Sequence, residues 1–283
     1  MEEASFKDFN DSFVSLLGRG SVLTETELQN LTDFAMKLSL PPNPIRALDN
    51  SLTAQEQAGK DIYFNKADVT GLGSCNNCHT LDAAKGQFGT AGLMTYEGSR
   101  FSDNFKVPHL RNVYQKVGMF GYSLEGSNQE GKQYRGFGLG NDGSVDTLVT
   151  FFSDPVFVFK NPDTDRKNMA AFMLAFDSDY LPITGQQLTW RPGSSSAINN
   201  RLSLLKQQAK VTSPRPACDL QVSGNINGVD ISGLYQADGT WKFKDGKSSS
   251  DTDLMALATA TQPLTFTCLP PGTGVRTALK QTK

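Results

Sequence analysis

The 283-residue chain has only 2 histidines and 4 cysteines, so few side chains are available to a metal or cofactor. No stretch approaches the roughly 18 to 20 uninterrupted apolar residues that a bilayer-spanning helix needs, and the sequence predicts no membrane span. Charge of one sign is also missing, since 27 Lys and Arg face 29 Asp and Glu without a long run of either. That balance argues against a nucleic-acid or polybasic membrane surface, both of which need clustered cations. Residues 1–10 are acidic and aromatic and do not resemble a secretory signal. What the chain does have is 18 Phe, large apolar surfaces that supply a core despite an apolar content of 38%. Its length suits a main unit with an accessory one.

Helical patterning dominates the first two thirds. Thr24 with Glu27, and Thr53 with Glu56, have the S/T-x-x-E spacing in which hydroxyl and carboxylate satisfy each other's backbone amides at a helix start. The first helix carries Leu28, Leu31, Ala35 and Leu38 on one face and must end before Pro41. The second carries Ala54, Ala58 and Ile62, with Gly59 in mid-helix either a mild helix defect or, the favoured reading, a place where another helix crosses closely. Residues 117–143 contain 8 glycines, too many for a continuous helix or strand, and form a site-building loop region. Helical spacing returns at Val145, Leu148, Val149 and Phe152, and again at Met169, Phe172, Met173 and Phe176. Past Pro216 the pattern changes to short alternating runs separated by Asn227-Gly228, Asp238-Gly239 and Asp245-Gly246, which predicts a small β-rich unit.

The cysteines fall into two pairs with different spacing. Cys75-Asn-Asn-Cys78-His79 places two thiols three residues apart on one turn and an imidazole immediately after, the arrangement that attaches a c-type haem covalently and ligates its iron with the histidine. A zinc site would need four ligands, and the only other histidine is His109. A redox dithiol leaves the adjacent His79 unexplained. Haem attachment to such a motif takes place outside the cytoplasm, so the expected location is the periplasm, the cell surface or the extracellular space. Cys218 and Cys268 form the distant pair, and a disulfide between them agrees with export.

The opposite face of a haem decides its chemistry, because a methionine sulfur fills the iron and makes an electron carrier, whereas an open position admits peroxide or a gas. Met119 is the expected sixth ligand. It lies 40 residues beyond His79 in Lys116-Val-Gly-Met-Phe-Gly121, where glycines let the backbone approach a porphyrin. Met94, Met169, Met173 and His109 are the other candidates. Acidic pairs such as Asp163 with Asp165, and Asp177 with Asp179, could bind Ca²⁺ but suit caps and surface turns better.

Phe105-Lys-Val-Pro-His-Leu-Arg-Asn-Val113 and Asp142-Gly-Ser144, downstream of the CxxCH, resemble the cytochrome c domains of the bacterial dihaem cytochrome c peroxidase and MauG superfamily over residues 20–185. Pro42-Asn-Pro-Ile-Arg46, Lys116 to Gly121 and Ala175-Phe-Asp177 are similar to the C-terminal cytochrome region of large secreted bacterial proteins. The resemblance implies a mostly helical fold around the haem, with Arg111 near its propionates. This chain departs from the peroxidases in having one CxxCH, and in having Asn141 where many relatives have His before Asp-Gly-Ser. The expectation is therefore a mainly α chain: a haem-less helical segment at 1–50, a cytochrome c-like mono-haem domain at 51–190, a linker at 191–213 and a small β-rich domain at 214–283. The expected activity is electron transfer to a redox partner protein or an extracellular acceptor. A peroxidase or MauG-like enzyme and a surface or assembly module carrying a haem are the alternatives.

Overall fold

The computed structural model describes residues 7–65, 73–96, 104–118, 137–140, 143 and 145–280. A helical turn α1 (Ser12–Ser15) precedes α2 (Glu25–Met36). Helix α2 starts as its sequence signal requires, with the Glu27 amide donating to Thr24 Oγ1 at 3.3 Å and the Thr24 amide to Glu27 Oε2 at 2.9 Å. The face it buries is narrower than the periodicity predicts: Leu28 and Thr32 are buried, while Phe34 and the following Leu38 are 62% and 64% exposed. Helix α3 (Ala54–Asn65) opens on the same device, the Thr53 amide donating to Glu56 Oε2 at 2.7 Å.

Beyond α3 come the turn α4 (Cys75–Cys78), the hairpin strands β1 (Leu81–Asp82) and β2 (Gln87–Phe88), and a second pair, β3 (Met94–Tyr96) with β4 (Asn104–Lys106). Short helices α5 (Val113–Lys116) and α6 (Leu148–Phe151) lead to α7 (Pro162–Leu174). Helices α3 and α7 cross at Gly59, where a Cβ would lie 2.1 Å from the Asn168 carbonyl oxygen, so only glycine permits this approach. One turn on, Ile62 and Tyr63 point the same way into a core shared with Met169, Phe172, Met173 and Phe176. The Tyr63 ring meets Phe172 and Phe176 edge-on at 5.4 and 5.6 Å between centroids.

A second core belongs to a six-stranded antiparallel sheet of strands β5 (Gln187–Trp190), β6 (Asp219–Ile226), β7 (Val229–Tyr235), β8 (Trp241–Phe243), β9 (Ser248–Ser249) and β10 (Leu264–Leu269), in the spatial order β5-β10-β6-β7-β8-β9. Helix α8 (Ser196–Gln208) contributes Leu202 and Leu205 to that core, and α9 (Asp251–Ala256) contributes Leu254. The hairpin between β6 and β7 turns at Asn227-Gly228 with φ of 52° and 81°, the left-handed pair its sequence predicts. Cys218 and Cys268 are joined by a disulfide inside this core, closing a sequence separation of 50. A loop of that length stabilises the folded chain by about 4 kcal/mol through the entropy of the unfolded one.

The expectation of a mainly α chain is corrected here. The structure is 35% helical and 16% strand, with the six-stranded sheet as its largest regular assembly. Two local features also differ from the sequence expectation. Strand β5, which the sequence analysis left at the end of the haem unit, pairs with β10 through Leu188↔Phe266, so the sheet takes its edge from upstream of residue 214. The segment expected to link the two units is mostly helix, because Ser195 caps α8 by accepting from the Ile198 amide. Among the described residues no helix is long and apolar enough to cross a membrane.

Candidate functional site

The Cys75–Cys78 turn is built from its own sequence. The His79 amide donates to the Cys75 carbonyl at 2.8 Å, closing one helical turn that brings both thiols and the imidazole together. Both asparagines between the cysteines brace it: Asn76 Oδ1 accepts the Leu81 amide at 2.9 Å, and Asn77 Oδ1 accepts the Ser74 hydroxyl at 3.1 Å. Neither Cys75 nor Cys78 is in a disulfide, and both are half-buried. Burial pushes the Cys75 thiol up to about 11, the reverse of the lowered value that makes a thiolate nucleophile. Such a site suits a sulfur that ends in a neutral thioether better than one that cycles through a disulfide.

His79 is held at three points. The Tyr63 hydroxyl donates to its carbonyl, and ring atom Nδ1 lies 3.0 Å from the Gly89 carbonyl oxygen and 3.2 Å from that of Pro108. Two carbonyls can only accept, so they assign the proton to Nδ1 and leave the Nε2 lone pair free. A carbonyl that accepts from the far ring nitrogen orients a metal-ligating imidazole and raises its basicity. Burial lowers the His79 pKa below the usual imidazole value, against the pull of the Gly89 and Pro108 carbonyls, and favours the neutral, ligating form. Gly89 has a φ of 90°, and a Cβ there would sit 2.5 Å from Leu110 Cγ, so the carbonyl that fixes His79 depends on a missing side chain. Burial also raises the pKa of Tyr63, which stays a hydrogen-bond donor.

Compared with protein-family models, curated protein sequences and solved structures, the chain matches none. The fit of a haem therefore rests on the donor set. Two unbonded thiols share one turn, and an imidazole follows with Nδ1 against two carbonyls and Nε2 left unprotonated. Among the described residues no cluster of three or more His, Cys, Asp and Glu could hold a metal ion by itself.

The other sequence candidates are placed as follows. Met119 lies outside the described residues, as do Asn141, Asp142 and Ser144. The neighbouring Gly118 is described, with φ of 106° and its amide donating to the Asp146 carbonyl at 2.6 Å. Met169 and Met173 are core residues 1% and 7% exposed, and Met94 is 45% exposed. Asp163 and Asp165 occupy the first turn of α7, where they complement its dipole, and Asp165 accepts the Asn161 amide at 3.0 Å.

Arg111 does not stand alone. Its Nη1 pairs with Asp179 Oδ1 at 2.6 Å, and Arg215, from just before the sheet's second strand, pairs through Nη2 with Asp177 Oδ1 at 2.6 Å. The Nε of each arginine is buried without a hydrogen-bond partner. Each guanidinium lies over the Phe88 ring, with Cζ to centroid distances of 5.8 Å for Arg111 and 4.8 Å for Arg215. Sequence reasoning missed Tyr63, Gly89 and Arg215. The first two act through a hydroxyl on a neighbouring helix and a backbone carbonyl, for which a sequence carries no motif. Arg215 sits between Pro214 and Pro216 with no periodicity around it.

Proposed function

We propose that this chain is an exported c-type cytochrome that transfers electrons through one covalently bound haem c. Cys75 and Cys78 attach the haem, each thiol adding sulfur to one carbon and hydrogen to the other carbon of a vinyl group. His79 Nε2 and Met119 would hold the haem iron. The observation that carries the reading is the His79 ring, whose Nδ1 is satisfied by the Gly89 and Pro108 carbonyls at 3.0 and 3.2 Å while its other nitrogen is left to bind. Bound haem supplies one-electron redox chemistry. The chain's part is to keep the imidazole neutral and oriented, and to bury its surroundings in the aromatic core that Tyr63, Phe172 and Phe176 begin. The Cys218–Cys268 disulfide supports an oxidising compartment, and with it a periplasmic or cell-surface location. The electron acceptor is then a redox partner protein or an extracellular oxidant.

The test is whether colour stays with the polypeptide. Protein matured with a cytochrome c assembly system should keep its haem through acid acetone and denaturing electrophoresis, with a mass increment of one haem. Cys75→Ala with Cys78→Ala should abolish it. Extractable haem, or an increment of two, refutes the proposal.

A further inference from the structure

We infer that Arg215, which the sheet unit supplies, is a positioning residue for the haem ligand His79, acting through the Phe88 ring and the Gly89 carbonyl. The inference rests on the haem reading above. Arg215 is anchored at both ends of its fork, Nη1 donating to the Asp179 carbonyl at 2.6 Å and Nη2 to Asp177 Oδ1 at 2.6 Å. Its carbon Cζ then lies 4.8 Å from the centroid of Phe88, a ring only 4% exposed. Phe88 has little freedom of its own, since it pairs with Leu81 in the short hairpin and its carbonyl accepts the Leu110 amide at 2.9 Å. The next residue is Gly89, whose amide donates to the Thr80 carbonyl at 2.8 Å and whose own carbonyl receives His79 Nδ1 at 3.0 Å. The path from the guanidinium to the iron-binding ring is therefore one aromatic contact, one peptide and one hydrogen bond. Glycine at 89 has no side chain to hold its peptide in place, so the plane of that carbonyl is set by its neighbours.

The chemistry gives the inference a sign. A carbonyl held firmly against Nδ1–H increases the electron density that the imidazole gives to iron, which favours the ferric state. Loosening it should raise the reduction potential. Simple loss of a nearby positive charge has the opposite effect, because the more highly charged ferric form is then less opposed. Charge-conserving substitutions separate the two. Arg215→Lys keeps the cation but loses the planar two-armed fork, and Phe88→Leu alters no charge.

The experiment measures, in the haem-loaded full chain, the reduction potential and the rate of solvent exchange of the His79 Nδ1–H proton by NMR. Arg215→Lys and Phe88→Leu should each raise the potential and speed exchange on the order of fivefold, the effect of weakening one hydrogen bond. The double variant should move neither readout beyond the larger single effect, because both residues act through one path. Lys206→Gln is the control: Lys206 has the same kind of environment, pairing with Asp251 at 2.7 Å and lying 5.8 Å over Phe266, but within the sheet unit, and it should change neither readout. Should Arg215→Lys fail to fold, Asp177→Asn, read by proton exchange alone, loosens the same fork and should speed exchange likewise. Unchanged exchange in the arginine-fork variant, a fall in potential, or an equal shift in Lys206→Gln overturns the inference. Absence of covalent haem from the unaltered chain would refute the functional reading instead.

Discussion

Replacing Gly59 with alanine tests the packing of α3 on α7, which sets Tyr63 against the His79 carbonyl. In an isolated helix the change is favourable, since alanine is preferred over glycine by about 1 kcal/mol in a helix interior. Here the added Cβ would lie 2.1 Å from the Asn168 carbonyl oxygen, 2.7 Å from its carbonyl carbon and 2.7 Å from Phe172 Cβ. The closest atoms belong to the backbone of the facing helix, so no rotamer change relieves the clash. To restore ordinary contact the helices must part by about 1 Å, and overpacking of this kind costs roughly 1–3 kcal/mol. The rigid obstacle puts the cost at the upper end. After the propensity gain is subtracted, Gly59→Ala should destabilise by about 2 kcal/mol and lower the melting temperature by about 5 °C.

The displacement also reaches the site. Tyr63, one turn beyond Gly59, is fixed between Phe172 and Phe176 and donates to the His79 carbonyl. Urea unfolding followed by haem absorbance and by far-ultraviolet circular dichroism would read both consequences. Ala58→Gly is the companion, expected to cost about 1 kcal/mol by propensity alone. A Gly59→Ala variant as stable as the unaltered chain, or more stable, would refute the close crossing and with it the reason for glycine at this position.

Met119→Ala should remove the sulfur-to-iron charge-transfer band near the red end of the ferric spectrum, convert the haem to a high-spin or water-ligated form and lower its potential. An unchanged low-spin spectrum would pass the role to another methionine or to His109. Replacing Cys218 and Cys268 together by alanine should destabilise the sheet unit by about 4 kcal/mol, from the separation of 50 residues that the bond closes. Guanidinium unfolding monitored at the buried Trp241 checks this, and a loss under 1 kcal/mol would mean that the unfolded chain is already constrained there.

Local devices were the most legible part of the sequence. Both S/T-x-x-E boxes start helices at the residues they name, because a cap is satisfied within one turn and needs no partner from elsewhere. The Asn-Gly and Asp-Gly dipeptides likewise mark turns whose glycines have positive φ, at Gly228, Gly239 and Gly246. Gly59 was readable as a crossing point because a glycine in mid-helix needs a reason. Long-range pairing was not readable. Strand β5 has only four residues, half exposed, and its partner β10 lies more than seventy residues further on, so nothing local marks it as the edge of a sheet. The linker reading of 191–213 overlooked that Ser195, three residues before Ile198, caps a helix. Periodicity misled at α2 for a different reason: apolar spacing shows which face can be buried, and Leu38, exposed beyond the helix's last residue, shows that burial also needs a surface to meet.

The candidate site divides along the same line. Cys75, Cys78 and His79 were legible as a group because the three lie within one turn of chain. Contacts from several distant segments converge instead on the turn Ala175-Phe-Asp-Ser-Asp179. Asn43 donates to the Leu174 and Phe176 carbonyls at 2.8 and 2.9 Å, and Ser178 donates to the Pro41 carbonyl at 2.9 Å, so the Pro42-Asn-Pro-Ile-Arg46 stretch is fastened to that turn. The Leu40 amide donates to Asp179 Oδ2 at 2.6 Å, while Oδ1 of the same carboxylate takes Arg111. Asp177 takes Arg215. Half-buried ion pairs of this kind add little net stability, yet removing one partner leaves a desolvated charge at a cost of about 3–5 kcal/mol. Their effect is thus on specificity of placement: the two acids fix where the Arg111 loop and the sheet meet the end of α7. Pro42 to Arg46 and the Arg111 loop lie far apart in the sequence and reach this turn through single side chains, so no local pattern in either segment marks the pairing.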